Sequence, residues 1–274
     1  CQDKSEKNSP LKMVMAVGLI MGLHAGYEVV FNDVIFSWQV IWAYLPVSAL
    51  YIVSMAIGYF GLRYIELSVS SPICNTSGAL VVVFYMLMGV RPEGAILIGV
   101  GFTLMGIIGL SVAEYTEDEV ARAERQKASN MKYHKSLLAI ALPVVYSLID
   151  AGGTFADSLI LETLDEAQAN VAYEFTFFST GLIVFLVLLI RGEFKLTKSD
   201  KPKLIASIFE TGGQVAYIYA IGANPIAAAP IISCYCLLTV IWGRIFLKEK
   251  LSWKHYTSIG LAITGIIVLA IFDQ

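Results

Sequence analysis

The chain has 274 residues, of which 15% are charged and 57% hydrophobic, with a mean hydropathy of +0.70 and a formal net charge of −3. Soluble domains carry about 25% charged residues, so the composition excludes a soluble globular protein and indicates an integral membrane protein. Nothing in it resembles a basic nucleic-acid-binding face.

The chain opens with a polar stretch, Cys1 to Pro10, that feeds directly into an apolar run. Runs near the roughly 20 residues that cross a bilayer then recur to the end. They predict nine spans, at about 11–30, 39–62, 70–89, 93–113, 136–156, 170–190, 203–222, 226–247 and 254–272. The short alternating segments of a β-barrel are absent, so the spans are helices. Between the fourth and fifth lies a hydrophilic linker, Glu114 to Ser136, that mixes Glu117, Asp118, Glu119, Arg122, Glu124, Arg125 and Lys127. It reads as a solvated connector. Its Glu and Arg spacing supports a short surface helix, but it lacks the apolar face of a membrane-lying one. Cys74, Cys234 and Cys236 fall inside spans and Cys1 at the terminus, which suits small apolar fillers better than a disulfide framework.

The stretch from Glu210 to Glu249 occurs again, more weakly, about 158 residues earlier. Tyr59, Pro72 and Ile73 match Tyr217, Pro230 and Ile231. One residue out of phase, Gly101, Gly106, Ile107, Ile108 and Leu110 match Gly260, Gly265, Ile266, Ile267 and Leu269. Shared proline and glycine positions argue for an internal repeat more strongly than shared Leu and Ile. The expected fold is an all-α membrane bundle of nine visible helices drawn from two inverted five-helix repeats. Residues 1–113 form the first repeat, 114–135 the linker and 136–274 the second. The span at 136–156 has no partner in the first half, so a leading helix of the first repeat is expected to be missing. The recurring glycines are expected to let helices approach closely.

Basic residues set the topology. Lys4, Lys7 and Lys12, then Arg63, Arg122 to Lys135, Arg191 to Lys203 and Arg244 to Lys254 all fall on one side, and the other receives only Arg91 and acidic stretches such as Glu162 to Glu166. The positive-inside rule places the basic side, with Cys1, in the cytoplasm and Gln274 outside.

Three stretches carry a family resemblance: Gly243-Arg-Ile-Phe-Leu-Lys-Glu249-Lys-Leu251, Gly260-Leu-Ala-Ile-Thr-Gly265 and Asn224-Pro-Ile-Ala-Ala-Ala-Pro230, with an eroded counterpart at Gly89-Val-Arg-Pro-Glu93. With them the chain resembles the EamA-type transporters of the drug/metabolite transporter superfamily over nearly its whole length. The resemblance implies ten helices in two inverted repeats, a central substrate cavity, small organic metabolites as substrates, and a bacterial inner-membrane location. These motifs specify fold well and substrate poorly.

Ionisable groups inside a bilayer are costly and therefore candidates for function. Here they are His24, Glu28, Asp150, Asp157, Glu174 and Glu210, and no Lys or Arg sits deep in a span. Glu210 leads: Gly213, Gln214 and Tyr217 follow at i+3, i+4 and i+7, placing acid, gap, amide and phenol on one helical face. Asp150 has Tyr146 a turn before it and Gly153-Thr154 a turn after, and is a candidate to share a proton with Glu210. His24 and Glu28, one turn apart, are either a proton-relay pair or a wetted vestibule. Asp157 and Glu174 lie nearer span ends, where interfacial water lowers their cost. Asn75 and Ser233, equivalent in the repeat, either face each other across a cavity or join helices. Tyr235 with Trp242, and Tyr173, Phe177 and Phe178, are packing or stacking surfaces.

Buried acids without buried bases favour a cationic or zwitterionic solute, such as an amine or amino acid. The expected function is alternating-access secondary transport in the lipid bilayer, with protons as a candidate coupling ion and a homodimer as a candidate assembly. No phosphate loop, zinc motif or nucleophile elbow is present. No cofactor or metal is called for, and a membrane-embedded enzyme or a non-transporting subunit remains the alternative.

Overall fold

The computed structural model describes residues 6–91, 94–129, 132–134, 136–198 and 200–272. Cys1, Lys4, Lys135 and Gln274, used above for topology, and Pro92 and Glu93 of the eroded motif lie outside them. Backbone N–H and C=O groups have no water to bond in a bilayer core, so each span must satisfy them within itself. All regular structure among the described residues is accordingly helical: α1 Ser9–Phe31, α2 Trp38–Gly61, α3 Leu67–Cys74, α4 Ser77–Leu87, α5 Gly94–Thr116, α6 Glu119–Arg125, α7 Leu138–Leu161, α8 Glu166–Ile190, α9 Asp200–Ala223, α10 Pro225–Ser233, α11 Tyr235–Phe246 and α12 Trp253–Phe272.

Among the described residues eight stretches are long and apolar enough to cross a membrane, α3 and α4 counting as one, Leu67–Leu87. The segment expected at 226–247 is instead two short helices, α10 and α11. Both interrupted segments contain a proline three to four residues before the interruption, Pro72 and Pro230. Proline removes a backbone donor and crowds the preceding turn. At the first interruption side chains reinforce the backbone bonds of the turn: Asn75 Nδ2 donates to Ser71 O at 2.9 Å beside Asn75 N, and Thr76 Oγ1 to Ile73 O at 2.7 Å beside Thr76 N. The two interrupted segments cross each other, α3 against α11 and α4 against α10. Gly78 permits the crossing, since a Cβ there would lie 2.6 Å from Ser233 Oγ and 2.8 Å from Ala229 O.

Around this crossing α1 lies along α8, α2 along α7 and α5 along α12. The expectation for the glycines divides here. A Cβ on Gly106 or Gly265 would run into the backbone of Ala262 or Thr103, whereas Gly101 and Gly260 have nothing within 4 Å. Only the first pair is a close-approach position, because the other two lie on the far face of the same helices.

The basic stretches meet at one end of the bundle. Arg63 donates to the Lys7 carbonyl, Lys12 bonds Glu6, Asp200 and the Lys195 carbonyl, and Arg125 donates to the Lys250 carbonyl. The linker there is solvated only in part. It does form the short helix α6, with Asp118 capping Val120 N, but Arg122 is 1% exposed and Gln126 2%. Arg122 pairs with Glu114 at 2.6 Å, and Arg125 pairs with Glu117 and Glu66 at 2.7 Å each. Glu249, from the motif after α11, accepts Leu67 N at 3.1 Å, Ser68 N at 2.9 Å and Ser68 Oγ at 2.5 Å. A carboxylate there satisfies the free donors of the first turn of α3 and complements its dipole.

Candidate functional site

A cavity of about 130 Å³ opens where the two interrupted segments meet α2, α7, α8 and α9. Glu210, Gln214 and Tyr217 project into it from α9 and Tyr146 and Asp150 from α7; Asn75 lines it at the first interruption and Ser233 and Tyr235 at the second. Eight of the eleven residues picked from the sequence thus share one chamber. Gly58 makes room on α2, since a Cβ there would sit 2.9 Å from the Tyr146 ring. Gly213 does not serve as a gap for close approach. It is exposed, with nothing within 4 Å of where its Cβ would be.

No Lys, Arg or His lines the chamber, so its two carboxylates face no basic partner there. Asp150 accepts from Ser54 Oγ at 3.4 Å. Glu210 has no hydrogen-bond partner among the described residues, and Gln214 Nε2 is buried without one. Glu210 and Asp150 line the same cavity but make no direct hydrogen bond, so the shared proton expected of them is not seen as a contact. Asn75 and Ser233 spend their own hydrogen bonds on helix carbonyls, Ser71 O and Ala229 O. Both therefore line the cavity while stabilising the interruptions. Trp242 is 55% exposed and takes no part, in contrast to Tyr235.

Sequence reasoning missed a hydroxyl network that runs from the chamber wall, where Tyr51, Thr154 and Tyr217 sit, to Tyr44 and Asp157 outside its lining. Tyr217 OH lies 2.6 Å from Thr154 Oγ1 and 3.1 Å from Tyr51 OH, and Tyr51 donates to Asp157 Oδ2 at 3.1 Å. Tyr44 donates to Asp157 Oδ1 at 2.6 Å. Asp157, expected near interfacial water, is fully buried, because the Tyr44 and Tyr51 phenols supply the donors that water would have supplied. The signal was in the spacing. Asp150, Thr154 and Asp157 fall at i, i+4 and i+7 on one helix, and Tyr44, Ser48 and Tyr51 repeat that pattern on another.

The remaining picks form a separate cluster toward the opposite end from the basic residues. His24 Nδ1 lies 2.9 Å from Glu174 and its Nε2 3.5 Å from Glu28. Glu174 is fully buried, so it is satisfied by the imidazole and not by interfacial water. Glu114, Glu117 and His255 come close enough to share a metal ion. The two carboxylates already hold Arg122, and Glu114 bonds His255 Nε2 at 3.1 Å, so the charge a cation would bring is present as guanidinium.

The sequence of the half that supplies most of this chamber places it among known proteins. Residues 137–271 match the EamA-like transporter family. The resemblance read from the Gly243, Gly260 and Asn224 stretches stands, and the EamA-like segment contains Glu210, Asp150, Asp157 and Glu174. With eight spans of sufficient length, the chain is a multi-pass protein of the bacterial inner membrane. Among curated relatives, the "Probable 4-amino-4-deoxy-L-arabinose-phosphoundecaprenol flippase subunit ArnE" of Aeromonas hydrophila is 31% identical over 74 residues, 26% of this chain and 65% of its own. The Hamiltonella defensa protein of the same name is 30% identical over 66 residues, 24% and 60% respectively. The matches thus span less than two thirds of those relatives. A solved crystal structure aligns over 96% of this chain and 88% of its own with a TM-score of 0.61 at 14% identity, a likeness of fold alone.

Proposed function

We propose that the chain is a secondary transporter of the drug/metabolite type that moves a small amine-bearing solute through the central cavity by alternating access. The observation that carries this reading is the lining of the chamber: two carboxylates, an unpaired Gln214 amide and five phenols, with no basic side chain. An ammonium group supplies the charge and donors that Glu210 and Asp150 lack, while phenol rings pack on the carbon skeleton. The curated relatives support an amine as well, since the sugar in their name carries a 4-amino group. An amino sugar is therefore the first solute to test, followed by primary amines and amino acids.

The architecture we assign has two inverted repeats, 1–113 and 136–274, joined by the linker 114–135. In it α1 corresponds to α8, α2 to α9, the interrupted α3–α4 to α10–α11, and α5 to α12. The basic end faces the cytoplasm. The site residues are Glu210, Gln214, Tyr217, Asp150, Tyr146, Asn75, Ser233 and Tyr235; His24, Glu28 and Glu174 form an outer vestibule. Rocking of the two repeats about the crossing of the interrupted segments exposes the chamber to either side, with the proton gradient as driving force.

Reconstitution in liposomes tests this with radiolabelled 4-amino-4-deoxy-L-arabinose, primary amines and amino acids, and with arabinose as the uncharged control. At least one amine should enter faster than into empty vesicles. Loss of one charge-assisted hydrogen bond, about 1.5–3 kcal/mol, should lower uptake by Glu210→Gln at least about ten-fold. Arabinose moving as fast as the amines, or no solute moving, overturns the reading.

A further inference from the structure

We propose that Asp157 is the carrier of the coupling proton, exchanging it with the cavity through the hydroxyls of Tyr51 and Tyr217. This rests on the chamber being the transport site and names the group that drives it. Asp157 neither lines the cavity nor touches a basic residue among those described, and it is fully buried with Tyr44. The fold does not need a carboxylate there to hold α2 to α7, since an amide at that position could take the same phenols. What the carboxylate adds is a place for a proton at the end of an unbroken line of oxygens.

The line has two settings. With the carboxylate ionised, Tyr51 donates to Asp157 Oδ2 at 3.1 Å and Tyr217 donates to Thr154 Oγ1 at 2.6 Å, while Thr154 donates to Asp150 O at 3.0 Å. With Asp157 protonated, its O–H donates to Tyr51. Tyr51 turns to donate to Tyr217, 3.1 Å away, and Tyr217 keeps Thr154 or turns to the chamber. Release is one concerted shift. The Asp157 O–H bond breaks as a new one forms on Tyr51, whose own proton moves to Tyr217, whose own moves to a water or neutral amine in the chamber. Both phenols end neutral, and one proton has left Asp157 for the cavity. The titratable groups facing Asp157 are Tyr44 and Tyr51 on α2, Tyr217 on α9, Tyr173 on α8 in edge contact with Tyr51, and Asp150 two turns along α7; Tyr85 on α4 bonds the neighbouring Ser158. None is basic, so no fixed positive charge holds the proton off.

The test has two arms on the full-length chain in liposomes. In the first, infrared difference spectra over a pH titration follow the carboxyl C=O band that Asp157→Asn removes. Cys74, which lines the chamber, is then labelled with aminoethyl methanethiosulfonate in a Cys1→Ser, Cys234→Ser, Cys236→Ser background. The added ammonium should move the midpoint of that band to lower pH, and Tyr51→Phe should reduce the move. In the second arm, the amine moved by wild type is followed both in gradient-free exchange and in pH-driven accumulation. Asp157→Asn should keep exchange within about two-fold and lower accumulation at least ten-fold, whereas Glu210→Gln should lose both. An unchanged spectrum in Asp157→Asn, a midpoint indifferent to the Cys74 charge, or equal loss of exchange and accumulation overturns the proposal. If wild type moves none of the solutes, the transport reading fails and the infrared arm alone decides whether Asp157 exchanges protons with the chamber.

Discussion

Replacing Arg125 by alanine is expected to cost the folded protein about 3–5 kcal/mol, the usual cost of removing one partner from a buried ion pair. The guanidinium is 7% exposed and makes four contacts: Nε and Nη2 fork onto Glu117 at 2.8 and 2.7 Å, and Nη1 donates to Glu66 at 2.7 Å and to the Lys250 carbonyl at 2.8 Å. It thereby joins the linker to the starts of α3 and α12. Lysine should recover little, because a point charge cannot reproduce the fork. Burial holds the Glu66 carboxyl above its ordinary value even with Arg125 and Gln126 drawing it down, and removing Arg125 raises it further. A carboxyl whose folded pKa exceeds its unfolded one binds its proton more tightly when folded. Its contribution is therefore fully present at low pH and lost as pH rises through the folded value. The R125A deficit should accordingly shrink on acidification from pH 7.5 to about pH 5, and Glu66→Gln should relieve part of it at pH 7.5. Thermal unfolding in detergent measures this. At about 2–4 °C per kcal/mol the midpoint should fall by roughly 6 °C or more at pH 7.5. A fall under 2 °C, or a deficit that grows as pH drops, refutes the reasoning.

Gly265→Val should separate α5 from α12 and lower the unfolding midpoint sharply, whereas Gly260→Val on the open face should leave it within about 2 °C; equal effects would remove the packing argument. Glu249→Ala strips three hydrogen bonds from the first turn of α3 and should cost roughly 2–3 kcal/mol by the same assay, with Glu249→Gln losing less because one acceptor oxygen remains.

The spans and most of the chamber were legible because both follow from one-dimensional rules. Length and hydropathy mark a helix, and a carboxylate at helical spacing from an amide and a phenol marks a polar face. Asp157 was misread because depth was judged from the distance to the span end. What keeps it dry is the pair of phenols from α2, a contact more than a hundred positions away along the chain. Arg122 was misread for a related reason. A run of mixed charge looks solvated until Glu114 and Glu117 are seen to close around Arg122. Gly101 and Gly260 failed because a repeat match records position along a helix and not which face meets a neighbour.

Two treatments of charge divide the molecule. At the basic end every buried cation described, Lys12, Arg122, Arg125 and Lys203, lies against carboxylates, and Glu249 spends its charge on a helix terminus. Those charges are neutralised where they stand, and Arg125 joins the linker to the starts of α3 and α12. In the middle of the bundle Glu210, Asp150 and Asp157 have no such partners, although burying a carboxylate without a base is the costlier choice. A protein that can close a salt bridge around Arg122 at one end had the means to do the same at the centre. The centre offers only hydroxyls and an amide instead, groups that hold a carboxylate without fixing its charge. That difference is what a chamber needs if its negative charge is to be met first by a solute and then by a proton.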